Sequence, residues 1–371
     1  MNRTPQVVVV GAGIVGCAVA YELARRGARV QVIDRRDVGQ GATQASAGVL
    51  APYIEAYSHT ALLDLGERSL ALYDQFIESV VEDSGSTVQY VRTGTLEVAT
   101  DELTVSRLEA IGEICAARGV VAELLDARGA RDVEPQLTTR VQGGLLVESH
   151  GFVGVSDLTA ALQRAAVAHG VSFVTSTSVA RIVAEGHGIR IETENNGFTC
   201  EQVVLAAGSW SGRVDVNGAA SVPVRPVRGQ LLYLRWPAPL LKRVVWAPGC
   251  YLVPWDDGSV LVGATVEDVG FDERATVVGV RHLLEVTCEI VPQAQHASFK
   301  EVRVGLRPGT PDELPVIGPS TRVPGLVYAS GHYRNGILLA PLTAAIVGDL
   351  ILDCKQDSAL QTTSPLRFGD C

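Results

Sequence analysis

Apolar runs alternate with amphipathic segments at the start of the chain. Residues 7–10 are four consecutive valines, and residues 17–27, CAVAYELARRG, carry apolar side chains at helical spacing. A second apolar run lies within residues 28–36, ARVQVIDRR. Short β-branched runs are typical of strands buried on both faces, as in parallel sheets with helical crossovers. The pattern therefore predicts a strand–helix–strand unit.

The same reasoning places elements along the rest of the chain. Helices are predicted at 59–82, at 101–118 with Asp101 as N-cap, at 157–170, at 279–291 and from Ile337 onward. Buried strands are predicted within 202–212 and at 326–330, paired strands at 88–99 turning at Thr93–Gly94, and an antiparallel sheet within 223–266 turning at Asp257–Gly258.

These elements predict an α/β protein with two domains. A Rossmann-like domain is expected to be discontinuous and to combine residues 1–87, 148–222 and 303–371. A second domain, built on an antiparallel sheet and expected to bind the substrate, takes residues 88–147 and 223–302. With 371 residues, the chain is long enough for two such cores.

The turn after the first strand has the G-x-G-x-x-G spacing of dinucleotide-binding proteins. Gly11 permits the tight turn, Gly13 lets the backbone approach a pyrophosphate, and Gly16 lets the helix pack close to the sheet. The helix then presents its N-terminus to the phosphates. Asp34 ends the second strand about 20 residues on, where a carboxylate accepts hydrogen bonds from a ribose.

Two segments indicate which dinucleotide binds. Arg35 and Arg36 follow Asp34, but its carboxylate would repel the 2′-phosphate of NADP, and the arginines are interpreted as solvated surface charges. Residues 39–50, GQGATQASAGVL, are rich in small residues that let the backbone approach a flat ring, and they favour FAD. A second small-residue turn, AAGSWSG at 206–212, fits the adenosine part of the same cofactor.

Charge and cysteine content exclude other classes. The formal net charge of −10 argues against a nucleic acid partner. The seven cysteines show no C-x-x-C spacing, which disfavours a disulfide framework or zinc site and indicates a reducing compartment. Because no apolar run reaches about 18 residues, stable membrane insertion is not expected, and the predicted location is cytoplasmic.

Two arginines and a tyrosine are candidate substrate-binding residues. Arg307 lies between a strand and a Pro-Gly turn, and Arg334 lies where a strand gives way to a helix. A guanidinium at the end of a buried strand can bind a carboxylate through two parallel hydrogen bonds. Tyr251 could add a hydroxyl to the same carboxylate. The alternative is that each arginine forms a structural ion pair.

The helix expected from Ile337 has a separate predicted role. Its positive N-terminus would face the pyrimidine edge of the flavin and stabilise negative charge there on reduction. His332 lies in the loop before it, where backbone contact matters more than imidazole chemistry.

At this point the chain resembles the glycine oxidases of thiamine biosynthesis, in the D-amino acid oxidase superfamily of FAD-dependent oxidoreductases. The resemblance rests on VVVVGAGIVG, GATQASAGVLAP, AAGSWSG, CYLVP, VGATV, GLRPGT and above all SGHYRNGILLAP, and it runs from residue 6 to about residue 353. It implies oxidation of glycine, or of sarcosine or small D-amino acids, by hydride transfer to flavin, with oxygen reduced to hydrogen peroxide. The imine would pass to a thiazole synthase or hydrolyse.

The resemblance also implies site residues. Arg307, Arg334 and Tyr251 match the substrate-binding positions of the family. The matching FAD contacts are Ile14, Val15, Asp34, Arg35, Thr43, Gln44, Ala47, Gly48, Val49, Val179, His332, Tyr333, Arg334, Asn335, Gly336, Ile337 and Leu338, to which the glycine turns add Gly11, Gly13, Gly16 and Gly208.

Three positions depart from the family pattern near the expected pocket. Gly249 replaces a histidine, Val266 a methionine and Ala51 a glycine. The related sarcosine oxidases attach flavin to a cysteine close to the segment that here reads EVRVGLRP, but no cysteine lies between Cys288 and Cys354, so non-covalent FAD is expected.

Two other functions stay open on the sequence. A D-amino acid dehydrogenase would share the fold but pass electrons to a quinone, and a non-catalytic protein would bind FAD without reacting. The sequence does not determine the amine, the electron acceptor or whether the chain forms a homo-oligomer.

Overall fold

A computed structural model of the chain describes residues 5–55, 57–186, 188–194 and 196–371. Its α-helices are α1 Ile14–Arg25, α2 Pro52–Glu55, α3 Thr60–Ser84, α4 Glu102–Ala117, α5 Ala127–Val133, α6 Val155–Ala168, α7 Val277–Ile290, α8 Ala340–Gly348 and α9 Leu360–Thr363. Short 3₁₀ segments lie at Thr43–Ala45, Gly208–Arg213, Pro292–His296 and Pro365–Phe368, and a π-helical turn lies at Asp349–Asp353. None of the described helices is long and apolar enough to cross a membrane.

The strands follow in chain order. They are β1 Val7–Val10, β2 Val30–Ile33, β3 Val49–Leu50, β4 Tyr90–Val91, β5 Thr95–Ala99, β6 Ala122–Asp126, β7 Gly143–Val147, β8 Gly151–Val153, β9 Ser172–Val174, β10 Val179–Glu185, β11 Gly188–Thr193, β12 Gly197–Cys200, β13 Gln202–Leu205, β14 Asp215–Val216, β15 Arg225–Arg235, β16 Val244–Ala247, β17 Cys250–Pro254, β18 Ser259–Gly263, β19 Ser298–Gly309, β20 Val316–Pro319 and β21 Leu326–Ser330.

The first sheet is parallel except at one edge and has the order β20-β21-β13-β1-β2-β9. The valines of β1 are buried and pair with β2 on one side and with β13 on the other. Helix α1 packs against α6 and α8. This arrangement confirms the predicted α/β fold, and it brings the carboxyl ends of β1, β2, β13 and β21 to one edge, where ligands bind in such sheets.

The second large sheet has eight strands in the order β19-β15-β18-β17-β16-β5-β7-β6. Most neighbours are antiparallel, as the sequence predicted for 223–266, and β5 joins β16 in parallel. The proposed domain boundary at residue 303 falls inside β19, a single strand that runs from Ser298 to Gly309. The carboxyl end of β19 contacts the segment that follows β13 of the parallel sheet, where Ser209 donates to the Leu306 carbonyl at 2.8 Å.

Two sequence predictions were wrong in detail. The strands within 88–99 do not pair with each other, because β4 pairs with β8 whereas β5 pairs with β7 and β16. The last long helix begins at Ala340 and not near Ile337. Residues 337–339 form turns instead, in which Leu339 N–H donates to the Asn335 carbonyl at 2.8 Å. The Asp101 cap is confirmed, since its side chain accepts from Thr104 N–H.

Candidate active site

The glycine turn between β1 and α1 has no room for side chains. Gly11 has a φ of +113°, and a Cβ there would lie 2.3 Å from the carbonyl oxygen of Ala206. A Cβ at Gly16 would lie 1.9 Å from the carbonyl oxygen of Gly11. Gly13, the residue before α1, places no capping side chain over the first turn. The first turn of α1 borders the cavity described below, as the motif requires. One of its N–H groups, that of Ile14, donates to Thr43 Oγ1 at 3.1 Å.

Asp34 fastens this turn to the end of β2. Its Oδ2 accepts from Ala12 N–H at 2.6 Å, and its Oδ1 accepts from Arg36 N–H at 2.8 Å. The carboxylate also lines the cavity described below. Asp34 therefore orders the glycine turn itself in addition to the ribose contact that the sequence predicted for it.

A cavity of about 470 Å³ runs from the glycine turn to the antiparallel sheet. Most of the predicted site residues line it: Gly11, Gly13, Ile14, Val15, Asp34, Arg35, Thr43, Ala47, Val179, Gly208, Tyr251, Arg307, His332, Tyr333, Arg334, Gly336 and Ile337. Six predicted cofactor contacts lie outside this lining, namely Gly16, Gln44, Gly48, Val49, Asn335 and Leu338. Gly48 is one example, because it packs against the backbone of β8: a Cβ there would lie 2.0 Å from the Val153 carbonyl oxygen.

One end of the cavity is covered by stacked cations and rings. The Arg35 guanidinium lies 4.0 Å from the centre of the Trp210 ring, and that of Arg36 lies 4.8 Å from it. Arg36 also forms a two-pronged ion pair with Glu273, at 2.9 and 2.5 Å. The interpretation as a solvated surface charge is therefore wrong for Arg36, which is partly buried and ion-paired, whereas Arg35 is exposed and lies over the Trp210 ring. Both arginines cover the end of the cavity nearest Asp34.

At the other end, Arg307 is held in place by backbone. Its Nη1 donates to the Thr265 carbonyl at 2.9 Å and approaches the Arg228 carbonyl at 3.4 Å. A Cβ at Gly229 would lie 2.3 Å from Arg307 Nη2, so the guanidinium rests on a glycine of the neighbouring strand β15. No carboxylate of the described residues forms a salt bridge with Arg307. Its charge is therefore oriented but not neutralised.

Tyr251 occupies a similar place on β17. It pairs with Gly263 of β18, where a Cβ would lie 2.2 Å from the Tyr251 Cζ atom. Burial raises the pKa of the Tyr251 phenol, while the nearby Arg307 acts to lower it. The phenol is therefore protonated at neutral pH and can donate a hydrogen bond beside the Arg307 guanidinium.

Glu55 is a site residue that the sequence reasoning missed. It ends the short helix α2, exposes 12% of its side chain and lines the cavity. Its Oε2 lies 2.9 Å from Arg334 Nε, and its Oε1 accepts from Arg334 Nη2 at 3.3 Å. Burial raises the pKa of the carboxyl, and Arg334 and Arg307 oppose that shift. The sequence feature that could have identified Glu55 is that it is the single acidic residue in the otherwise apolar segment 49–55.

The loop from His332 to Leu338 is anchored by side chains of α3. Tyr73 donates to the Ile337 carbonyl at 2.6 Å, and Ser69 donates to the Leu338 carbonyl at 2.6 Å. His332 is buried and bonded to the Thr343 hydroxyl at 2.9 Å. Burial lowers the pKa of His332 to about 4, so its imidazole is neutral at physiological pH. The loop is therefore held by side chains of α3 and α8.

Of the three departures noted in the sequence, one lines the cavity. Val266 does so, whereas Ala51 is fully buried and packs with Ile54 and Trp246. Gly249 has a φ of +83° in the turn between β16 and β17 and faces Val286 of α7. Val266 therefore borders the pocket, and Ala51 lies near it, in the cluster that packs against the cavity residue Tyr251.

The glycine turn, the N-terminus of α1 and the cavity are together the features of a dinucleotide-binding protein. The chain belongs to the family described as FAD dependent oxidoreductase, whose sequence model matches residues 6–350. FAD is its cofactor, and the site fits this group, because the glycine turn, the first turn of α1 and the Asp34 carboxylate all border the cavity.

Particular relatives narrow this class. The chain is 35% identical to a glycine oxidase of Geobacillus kaustophilus, over 95% of this chain and 94% of that protein. The crystal structure of glycine oxidase from Geobacillus kaustophilus matches with a TM-score of 0.95 and 34% identity over 99% of each chain. The bifunctional protein ThiO/ThiG of Nostoc sp. is 36% identical over 96% of this chain, which spans 54% of that longer protein.

Proposed function

We propose that this chain oxidises glycine. The α-carbon gives up a hydride and the nitrogen a proton, which leaves an imine, and oxygen takes up both electrons and two protons to form hydrogen peroxide. The observation that carries the proposal is Arg307, an oriented cation without a carboxylate partner in the described residues, in the same cavity as the glycine turn. Bound FAD supplies the two-electron acceptor that the side chains lack.

The side chains at this end of the cavity have positioning roles. Arg307 binds the substrate carboxylate through its planar guanidinium, and the Tyr251 hydroxyl donates to the same group. Holding the carboxylate at one point fixes the α-carbon relative to the cofactor. His332 is neutral, and its Nε2 is engaged by Thr343, so it supports the loop and is not proposed as a base.

The ThiO/ThiG relatives support a second proposal, that the imine passes to a thiazole synthase in thiamine biosynthesis. In those proteins the part similar to this chain occupies about half of one polypeptide.

We also propose a cytoplasmic location, since all seven cysteines are free thiols.

The test is anaerobic reduction of the bound flavin by glycine, sarcosine, D-alanine and D-proline. Rapid bleaching by glycine, followed in air by one peroxide per glycine consumed, is expected. A quinone-linked D-amino acid dehydrogenase would instead bleach with D-alanine and yield little peroxide. Flavin that stays oxidised with every amine would contradict an oxidase of any of these substrates.

A further inference from the structure

The two arginines at the substrate end are not equivalent. Arg334 is paired with Glu55, at 2.9 Å between Nε and Oε2. Arg307 is bonded to the carbonyl oxygens of Thr265 and Arg228, and no carboxylate of the described chain pairs with it. Tyr251 lies within electrostatic range of both arginines and of Glu55. One guanidinium is therefore in direct contact with a carboxylate, and the other is not.

The charge balance limits what can bind. With Glu55 ionised, Arg307, Arg334 and Glu55 carry a net charge of +1, which one carboxylate neutralises. A second carboxylate on the same ligand would meet Arg334 already paired and would approach the Glu55 carboxylate. Like charges brought together in a partly desolvated cavity repel strongly. Affinity for a second anionic group is therefore held down by Glu55.

We propose that Glu55 is a specificity-determining residue that restricts the site to amines with one carboxylate by occupying Arg334. This inference rests on the proposed role of Arg307 as the carboxylate site. It implies that Arg334, freed of Glu55, binds a second carboxylate carried on the amine side of the substrate. The ligand class excluded in the native protein is the N-carboxyalkyl amino acids.

The test compares two ligands that lack an amine and differ in one carboxylate, methoxyacetate and oxydiacetate. Their dissociation constants are measured on the FAD-loaded protein at pH 8 and fixed ionic strength, from changes in the visible flavin spectrum and by calorimetry. The native protein, Glu55→Gln, Glu55→Ala and Glu55→Asp are compared. The quantity of interest is the ratio of the two constants, because a general change in the pocket affects both ligands.

Glu97 offers a matched control. It is a fully buried glutamate paired with Arg107, on strand β5 beside Trp246 of β16, and it does not line the cavity. Its replacement in Glu97→Gln removes a nearby buried carboxylate without freeing Arg334. Glu55→Asp keeps the charge at the site. Both variants are expected to keep the native ratio.

In Glu55→Gln and Glu55→Ala, the ratio of the oxydiacetate constant to the methoxyacetate constant is expected to fall at least tenfold. An unchanged ratio in both variants, or an equal fall in Glu97→Gln, would overturn the proposal. Weaker methoxyacetate binding with no gain for oxydiacetate would also overturn it, and would indicate that Glu55 contacts the ligand directly. Flavin reduction by glycine in the native protein is scored separately, so failure of the proposed function is distinguishable.

Discussion

Replacing Arg307 by leucine tests the carboxylate site most directly. The native guanidinium rests on Gly229 and donates to the Thr265 carbonyl, so it is oriented before any ligand arrives. Arg307→Leu keeps an apolar side chain on β19 but removes the charge. Arg334 cannot take over, because Glu55 already pairs with it.

The expected magnitude follows from these contacts. Removing one partner of a buried, hydrogen-bonded charge pair costs about 2–5 kcal/mol. Because the Tyr251 hydroxyl remains as a donor, we expect the lower part of this range, about 2–3 kcal/mol. At about 1.4 kcal/mol per factor of ten, this is a loss of roughly 30- to 150-fold in glycine affinity.

The assay is anaerobic stopped-flow reduction of the flavin at increasing concentrations of glycine and of glycinamide, which lacks the carboxylate. Arg307→Leu should raise the apparent dissociation constant for glycine and leave that for glycinamide nearly unchanged. Arg307→Lys keeps the charge without the planar geometry and should fall between the two. FAD content and thermal stability report any damage to the fold. If both substrates were impaired equally, Arg307 would have a structural role and the proposed carboxylate site would be wrong.

Three further predictions concern the cofactor and the core. The flavin should appear in the filtrate after acid or heat denaturation, and flavin retained on the polypeptide would contradict non-covalent binding. Asp34→Ala should weaken FAD binding by about one to two orders of magnitude, since a charge-assisted hydrogen bond contributes about 1.5–3 kcal/mol. The acceptor for Ala12 N–H and Arg36 N–H is also lost. An unchanged FAD dissociation constant in a fluorescence titration would show that Asp34 is not at the ribose site. Burial raises the pKa of Glu97 to about 7 despite its pairing with Arg107. Between about pH 4.5 and pH 7 the unfolded chain therefore loses this proton while the folded protein keeps it, which should lower the free energy of unfolding by up to about 3 kcal/mol. Denaturant unfolding of Glu97→Gln should show a flatter pH dependence over this range, and an unchanged profile would contradict the assignment.

The cofactor half of the site could be predicted from the sequence because backbone geometry defines it. Gly11 and Gly16 sit where any Cβ would collide with main-chain oxygen, so the glycines themselves carry the signal. Asp34 follows at the expected spacing. The parallel sheet was predictable for the same reason, since β1 is buried on both faces and reads as an uninterrupted apolar run.

The partners of these elements were harder to predict. Tyr90–Val91 and Thr95–Ala99 have strand-like sequences separated by a turn, yet each pairs with a strand far along the chain. The pattern of one segment gives its face and length but not its partner. Glu55 was missed for a related reason, because its partner Arg334 lies 279 residues away in the sequence.

The proposed substrate end of the site depends on two glycines. Their role is apparent only from the side chains that lie opposite them on neighbouring strands. Tyr251 lies directly opposite Gly263, and Arg307 lies diagonally across from Gly229. Glycine weakens a strand interior, so its presence there needs a compensating reason. Here the reason is that each of these two side chains lies over the backbone of the neighbouring glycine, so close that a Cβ there would collide with it. An alanine at Gly229 or Gly263 would therefore displace Arg307 or Tyr251 while leaving both residues in the sequence, which makes these two glycines part of the proposed substrate site.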